Sequence, residues 1–311
     1  MRPPLQDDTR PVLDAPVRVG PFAAGSVRFV IEADEPAVAA ELDAVLTDLR
    51  TDPRTGPSAD GGDANVTFTV ARRDPPSTTH PWQLWRDLEP CERVTEDYLV
   101  PYVLWEVTRL LLERTEGVTP VHAAAVARDG RAIVLAGESH AGKSTLAGWL
   151  TAHGWEFLTD EVALVTRSDE RSWEVRPFPR PVGVRHPSPL DPFLAAHRSA
   201  LPGGRPGAPL EARSESLVPA STLGSLSRGA PLTAIVLPTH RPGSDGTLSD
   251  AHPASAVRAL AAHLPLRREH GRAGFREVVD LGLSVPAFTL EVDDLAQADT
   301  TLTSLLTELG S

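Results

Sequence analysis

A chain of 311 residues with 41% apolar and 23% charged side chains has room for one large or two ordinary domains and the composition of a globular protein. Its formal net charge of −12 lacks the basic face of a general nucleic-acid binder, so nucleic acid is not an expected partner. The single cysteine, Cys91, excludes an intramolecular disulfide and a cysteine-based zinc cluster, and reads as an inert, semi-buried thiol.

In chain order, residues 1–24 are proline-rich and read as an extended lead-in. Residues 26–32 alternate as a strand. Residues 35–50 follow as a helix, with Val38, Leu42, Val45, Leu46 and Leu49 on one face and Pro36 in its first turn. Residues 51–65 form a Gly/Pro/Asp loop, 66–71 a second strand, and 97–113 an apolar helix that Pro101 either begins or kinks. This first domain, residues 1–116, is a small α/β or α+β module without a catalytic constellation. The second domain, residues 117–311, opens with a strand over 118–126 and a hairpin turn at Arg128-Asp129-Gly130. Strands follow over 131–136, 156–159, 162–165, 173–178 and 182–185, the last two separated by Pro179 and Pro181. Residues 186–216 show little periodicity and read as a lid, a binding loop or a partly disordered segment. A strand over 232–237, a helix over 254–263 entered at Pro253, a strand over 287–292 and a helix over 295–309 close the chain. The fold class is therefore α/β, a mixed sheet with flanking helices. No apolar run reaches the roughly 20 residues of a membrane helix, and residues 1–8 lack a signal-peptide core. A cytoplasmic protein without a membrane partner is expected.

The chemistry concentrates after the strand 131–136. Gly137-Glu138-Ser139-His140-Ala141-Gly142-Lys143-Ser144-Thr145 fits the phosphate-binding loop G-x-x-x-x-G-K-[ST]. Gly137 and Gly142 let successive N–H groups turn inward around a polyphosphate, and the following helix adds its positive dipole end. Lys143 is the only lysine in the chain; the other 29 of its 30 Lys+Arg are arginine. A compact ammonium thus stands where that loop needs a point charge. The pattern predicts ATP bound on the loop, Lys143 on the β/γ-phosphates and Ser144 on Mg²⁺. Asp160-Glu161, seventeen residues beyond Lys143 at a strand end, either complete the Mg²⁺ site and face the acceptor or cap a turn. On adjacent positions of a pleat the two acids point to opposite faces. His122, in a strand of small apolar residues, is either a core histidine or a ligand. Arg180, in Pro177-Phe178-Pro179-Arg180-Pro181, is either a cation for the γ-phosphate or a surface side chain. An Asn-Lys-x-Asp guanine-reading segment is impossible with one lysine.

Together, His122-Ala, the Gly137–Thr145 loop and Leu158-Thr159-Asp160-Glu161 resemble the catalytic domain of HPr kinase/phosphorylase and its relatives. The resemblance covers roughly 118–165 and extends more loosely to Leu237. It implies a kinase of the P-loop type in which Asp160 takes the acceptor hydroxyl's proton, Glu161 and Ser144 lie near Mg²⁺, and His122 sits near the transferring phosphate. Thr145 stands where that family usually has Glu, Asp160-Glu161 where it has two aspartates, and its Glu-Ile-Arg-Gly signature is missing. These departures argue against phosphorolysis and against HPr as substrate. The expected activity is ATP-dependent transfer to a hydroxyl on a protein, a biosynthetic peptide or a small molecule, with the N-terminal module and residues 186–216 as candidate recognition elements. The alternative is an ATPase or nucleotide switch without transfer. The resemblance also allows a homo-oligomer.

Overall fold

The structure, a computed structural model, describes residues 10–51, 65–73, 78–168, 172–196, 215–262 and 271–310. The chain divides into two units, Met1–Glu116 and Gly117–Ser311.

The first unit is one five-stranded sheet in the order β1 (Val17–Ala24), β2 (Val27–Ala33), β3 (Asn65–Arg72), β4 (Trp82–Arg86), β5 (Glu89–Val94). Residues 17–24 are thus a strand and not the extended lead-in expected from the sequence. Pro21 masked the signal: it falls in the register shift between Val19 and Phe22, where a missing N–H interrupts no ladder. Helix α1 (Pro36–Val45) carries the chain from β2 to its parallel neighbour β3. The expected helix ends five residues early, passing into a 3₁₀ turn at Thr47–Leu49. The β4–β5 hairpin was not foreseen; it turns at Asp87, whose φ is +56°. Helix α2 (Leu99–Arg114) has Pro101 in its first turn, where an absent donor costs nothing, so that proline begins the helix and does not kink it.

The second unit contains β6 (Thr119–Val121), β7 (Ala123–Arg128), β8 (Arg131–Ala136), α3 (Lys143–Ala152), β9 (Glu156–Thr159), β10 (Ala163–Arg167), β11 (Trp173–Arg176) and β12 (Val182–Arg185). It continues through α4 (Asp191–Ala196), β13 (Glu215–Val218), β14 (Ala230–His240), β15 (Leu248–Asp250), α5 (Pro253–Ala261), α6 (Gly271–Ser284), β16 (Ala287–Val292) and α7 (Leu295–Leu309). The main sheet runs β6-β10-β11-β14-β8-β7-β9, with β16 beside β14 and β15 beside β16. One face packs Leu146, Ala147 and Leu150 of α3 with Leu302, Leu305 and Leu306 of α7. The other packs Leu260 of α5 with Val278 and Leu281 of α6. A mixed sheet with helices on both faces is an α/β architecture.

Of the region expected as one loop, 186–216, the part from 197 to 214 lies outside the described residues; its flanks form α4 and β13. There His186 bonds Asp191 Oδ1 through Nδ1 at 2.7 Å and Ser216 Oγ through Nε2 at 2.9 Å. The distances match a Ser-His-Asp relay, but ring and hydroxyl are both buried. The trio ties the start of α4 to β13.

Candidate active site

Strand direction explains why residues far apart in the chain meet. Strand β7 is antiparallel to both β8 and β9, so β8 and β9 run the same way and end at one sheet edge. The first ends at Ala136 and releases the loop; the second ends at Thr159 and releases Asp160-Glu161. Strand β7 starts at that same edge, with Ala123 opposite Ala136 and Ala125 opposite Thr159. His122 lies at the bend between β6 and β7, not inside a continuous strand. Its backbone is therefore next to Ala123, which faces Ala136 at the start of the loop, and its other neighbour Val121 pairs with Ala163 just past the acids.

The loop turns back on itself through three positive φ angles: +151° at Gly137, +68° at His140 and +87° at Gly142. Its crest, Glu138, Ser139 and His140, is exposed, and Ala141 and Thr145 are partly covered. Gly142 begins α3 without any side-chain cap, so the first-turn N–H groups, with their share of the helix dipole, remain to be met from outside the helix. The Lys143 ammonium donates to the carbonyls of Gly137 at 3.0 Å and Glu138 at 2.9 Å. Burial lowers its pKa, against the pull of the Asp160 and Glu161 charges.

Ser144 Oγ donates to Asp160 Oδ1 at 2.9 Å, and the Glu161 N–H donates to the same oxygen at 2.9 Å. Burial pushes the Asp160 carboxyl above the usual carboxylate range; the Ser144 hydrogen bond and the Arg180 charge oppose it. Asp160 and Glu161 do diverge, though for a different reason than the pleat. Val162 N–H bonds the Asp160 carbonyl at 2.9 Å, and Glu161 between them has φ +69°. That is a γ-turn, a strained conformation costing about 1–3 kcal/mol for a non-glycine residue. It aims Asp160 at Ser144 and Glu161 at Arg180.

Arg180 is not a surface arginine. Its Nη1 meets Glu161 Oε2 at 2.7 Å with a side chain only 11% exposed. Its Nε is buried without a hydrogen-bond partner. Phe178 delivers it by bridging alongside Thr159, with its N–H on the Leu158 carbonyl at 2.9 Å. A second guanidinium, Arg185 on β12, contacts the ring of His140 in the loop. Nothing in the local sequence singles it out, because the contact spans 45 positions. The structure thus brings Lys143, Ser144, Asp160, Glu161, Arg180 and Arg185 to one sheet edge and sets the His122 backbone beside them. No group of three or more His, Cys, Asp or Glu suited to a metal occurs among the described residues.

A family model, that of the SynChlorMet cassette protein ScmC, matches residues 91–183. That window is well under half of the chain, but it holds His122, the loop, the acid pair and Arg180. The Hpr(Ser) kinase/phosphatase from Coxiella burnetii is similar over 61% of this chain and 92% of its own, at 12% identity and a TM-score of 0.33. That likeness is too slight to assign the fold. Among curated proteins, none matches. No helix among the described residues is long and apolar enough to cross a membrane.

Proposed function

We propose that the chain is an ATP-dependent phosphotransferase that moves the γ-phosphate to a hydroxyl, borne by a serine or threonine of a protein or biosynthetic peptide or by a small molecule. The observation that carries this reading is the 2.9 Å bond from Ser144, at the head of α3, to the buried carboxylate of Asp160, at the end of β9. Two hard oxygens held together under an uncapped helix terminus fit a magnesium ion, which prefers such ligands. Held there by Ser144 and Asp160, the ion would offset negative charge on the transferring phosphate.

The chain's own groups take the remaining roles. Lys143 exchanges its two loop carbonyls for phosphate oxygens, and the amides of the Gly137–Gly142 loop turn inward around them. Asp160 accepts the proton of the incoming hydroxyl. Arg180, already a partner of Glu161, offers a further cation to the transferring group through a donor that has none of its own. His122 is assigned to the same end of the triphosphate from its backbone position.

The decisive experiment incubates the chain with Mg²⁺, γ-labelled ATP and a pool of serine- and threonine-containing peptides. Label on an acceptor, lost in Lys143→Ala, is expected. Label that emerges only as free phosphate replaces this reading by an ATPase, and failure to retain ATP at all removes both.

A further inference from the structure

Which way a nucleotide lies along the sheet edge follows from the strands on either side of the loop. We propose that its nucleoside end rests over the end of β14, with the base against the ring of His240. The inference rests on the nucleotide reading above and adds to it the place of the base.

Three observations support it. The first is strand order. On one side of β8 come β7 and β9, and β9 brings Asp160 to the edge. On the other come β14 and β16, which run parallel to β8. The carboxyl ends of parallel strands open on one edge, where ligands bind, so the loop after Ala136 and the end of β14 are neighbours. A β-carbon placed on Gly137 would stand 4.0 Å from the Pro238 carbonyl oxygen. The transferring phosphate has to meet Asp160, so the other end of the molecule points away from β9. Toward α3 the loop crest is met by Arg185, from the strand whose Val182 and Val184 pack with that helix. The β14 side is left.

The second is charge. The end of β16 carries Glu291, Asp293 and Asp294, and the loop after β14 adds Asp245. The cation among them, Arg241, is paired with Glu291. Asp293 accepts from the Gly243 N–H and Asp294 from the Ala296 N–H, both at 2.8 Å. An excess of carboxylates repels a polyphosphate and suits an uncharged base and sugar.

The third is His240 itself. Ala234 and Val236 point into the core beneath α3 and α7, and Ile235 into the core on the opposite face. Continued along the strand, that alternation puts His240 on the α3 face and Thr239 on the other. His240 is therefore on the side of the sheet where α3 begins. It is exposed, and among the described residues its ring has no hydrogen-bond, ionic or stacking partner. A planar ring left open there is a face on which a base can stack.

The test compares ATP with inorganic tripolyphosphate, which keeps the phosphates and lacks the nucleoside. Both are titrated with Mg²⁺ into the full chain by calorimetry. His240→Ala is expected to weaken ATP roughly tenfold, the scale of one lost stacking contact, and to leave tripolyphosphate unchanged. GTP should lose as much as ATP, because stacking does not read base edges. His240→Phe should hold ATP like the parent, since it keeps a ring and discards the imidazole's hydrogen bonds. Thr239→Val should alter neither ligand, and Lys143→Ala should lose both. Melting curves confirm folding. A second measurement needs no variant: irradiated 8-azido-ATP should label the parent chain within 238–247. If the parent retains no nucleotide, the kinase reading falls and this inference with it. If it retains ATP but His240→Ala binds it as the parent does, or weakens tripolyphosphate equally, only the placement of the base falls. Label confined to other segments overturns it too.

Discussion

Among the described residues each unit buries one acid deeply, and the two are treated in opposite ways. Glu106 in the first unit is 1% exposed and is met by the guanidinium of Arg109, through Nε at 3.1 Å and Nη2 at 2.5 Å, and by the Tyr102 hydroxyl. Asp160 in the second is 6% exposed but has only a hydroxyl and an amide. The neighbouring cations are turned elsewhere: Lys143 to loop carbonyls and Arg180 to Glu161. A buried carboxylate with a matched cation is a structural element; one left without a direct cation costs stability and marks a place where charge is needed later.

The strongest way to break this contrast is Asp160→Asn. The amide oxygen keeps both hydrogen bonds, from Ser144 and from the Glu161 N–H, and only the charge is removed. Phosphotransfer should fall by about 10²- to 10⁴-fold, the usual contribution of a general base. The melting temperature should hold or rise, because the burial penalty on the carboxylate disappears. A variant that keeps its rate, or that loses several degrees of stability, would place Asp160 among the structural acids with Glu106.

How much of this was legible in the sequence follows from how local each signal is. The strand, loop and helix around Lys143 are written in consecutive residues, and α3 starts where the motif requires. The seventeen-residue step to Asp160 was legible because β9 is short and apolar. The break at His122 was not, since Pro120 to Val126 reads as one continuous apolar run. Strand β1 hid behind Pro21, and α6 behind glycines and charges at Gly271–Glu277. The Arg180–Glu161 pair depends on Phe178 bridging beside Thr159, a pairing no periodicity announces. The fold class came from alternation of strand and helix; the strand order that gathers the site did not.

Cys91 sharpens the comparison from the side of the first unit. Burial, and next the charge of Glu106, push its thiol up to about 12 from 9.0. At pH 8 the thiolate fraction should then be roughly a thousandfold below that of the unfolded chain, and alkylation correspondingly slow until urea is added. The sign of the accompanying stability effect is fixed. Above the unfolded thiol's pKa, the unfolded state releases a proton that the folded state keeps, so this group's contribution declines as pH rises from about 9 towards 12. Cys91→Ser should lack that decline. A native thiol alkylated as fast as the unfolded one would contradict the burial of this strand edge.

The smallest expected effect tests the matched acid itself. Removing Glu106 as Glu106→Ala leaves Arg109 facing Glu113 alone, at 2.9 Å, and strips the Tyr102 hydroxyl of its acceptor. Breaking a buried pair costs about 3–5 kcal/mol, but Arg109 is a third exposed, and solvent screening brings the expectation to about 2 kcal/mol. Glu106→Gln keeps an oxygen for Tyr102 and should lose less. It should also quicken Cys91 alkylation, since the Glu106 charge is the second cause of the raised thiol. If the alanine variant were instead as stable as the parent, the guanidinium would not be compensating the acid, and the two buried carboxylates would no longer be opposites. The outcome that preserves the contrast is destabilisation here together with none in Asp160→Asn, measured by urea unfolding of both variants under one buffer.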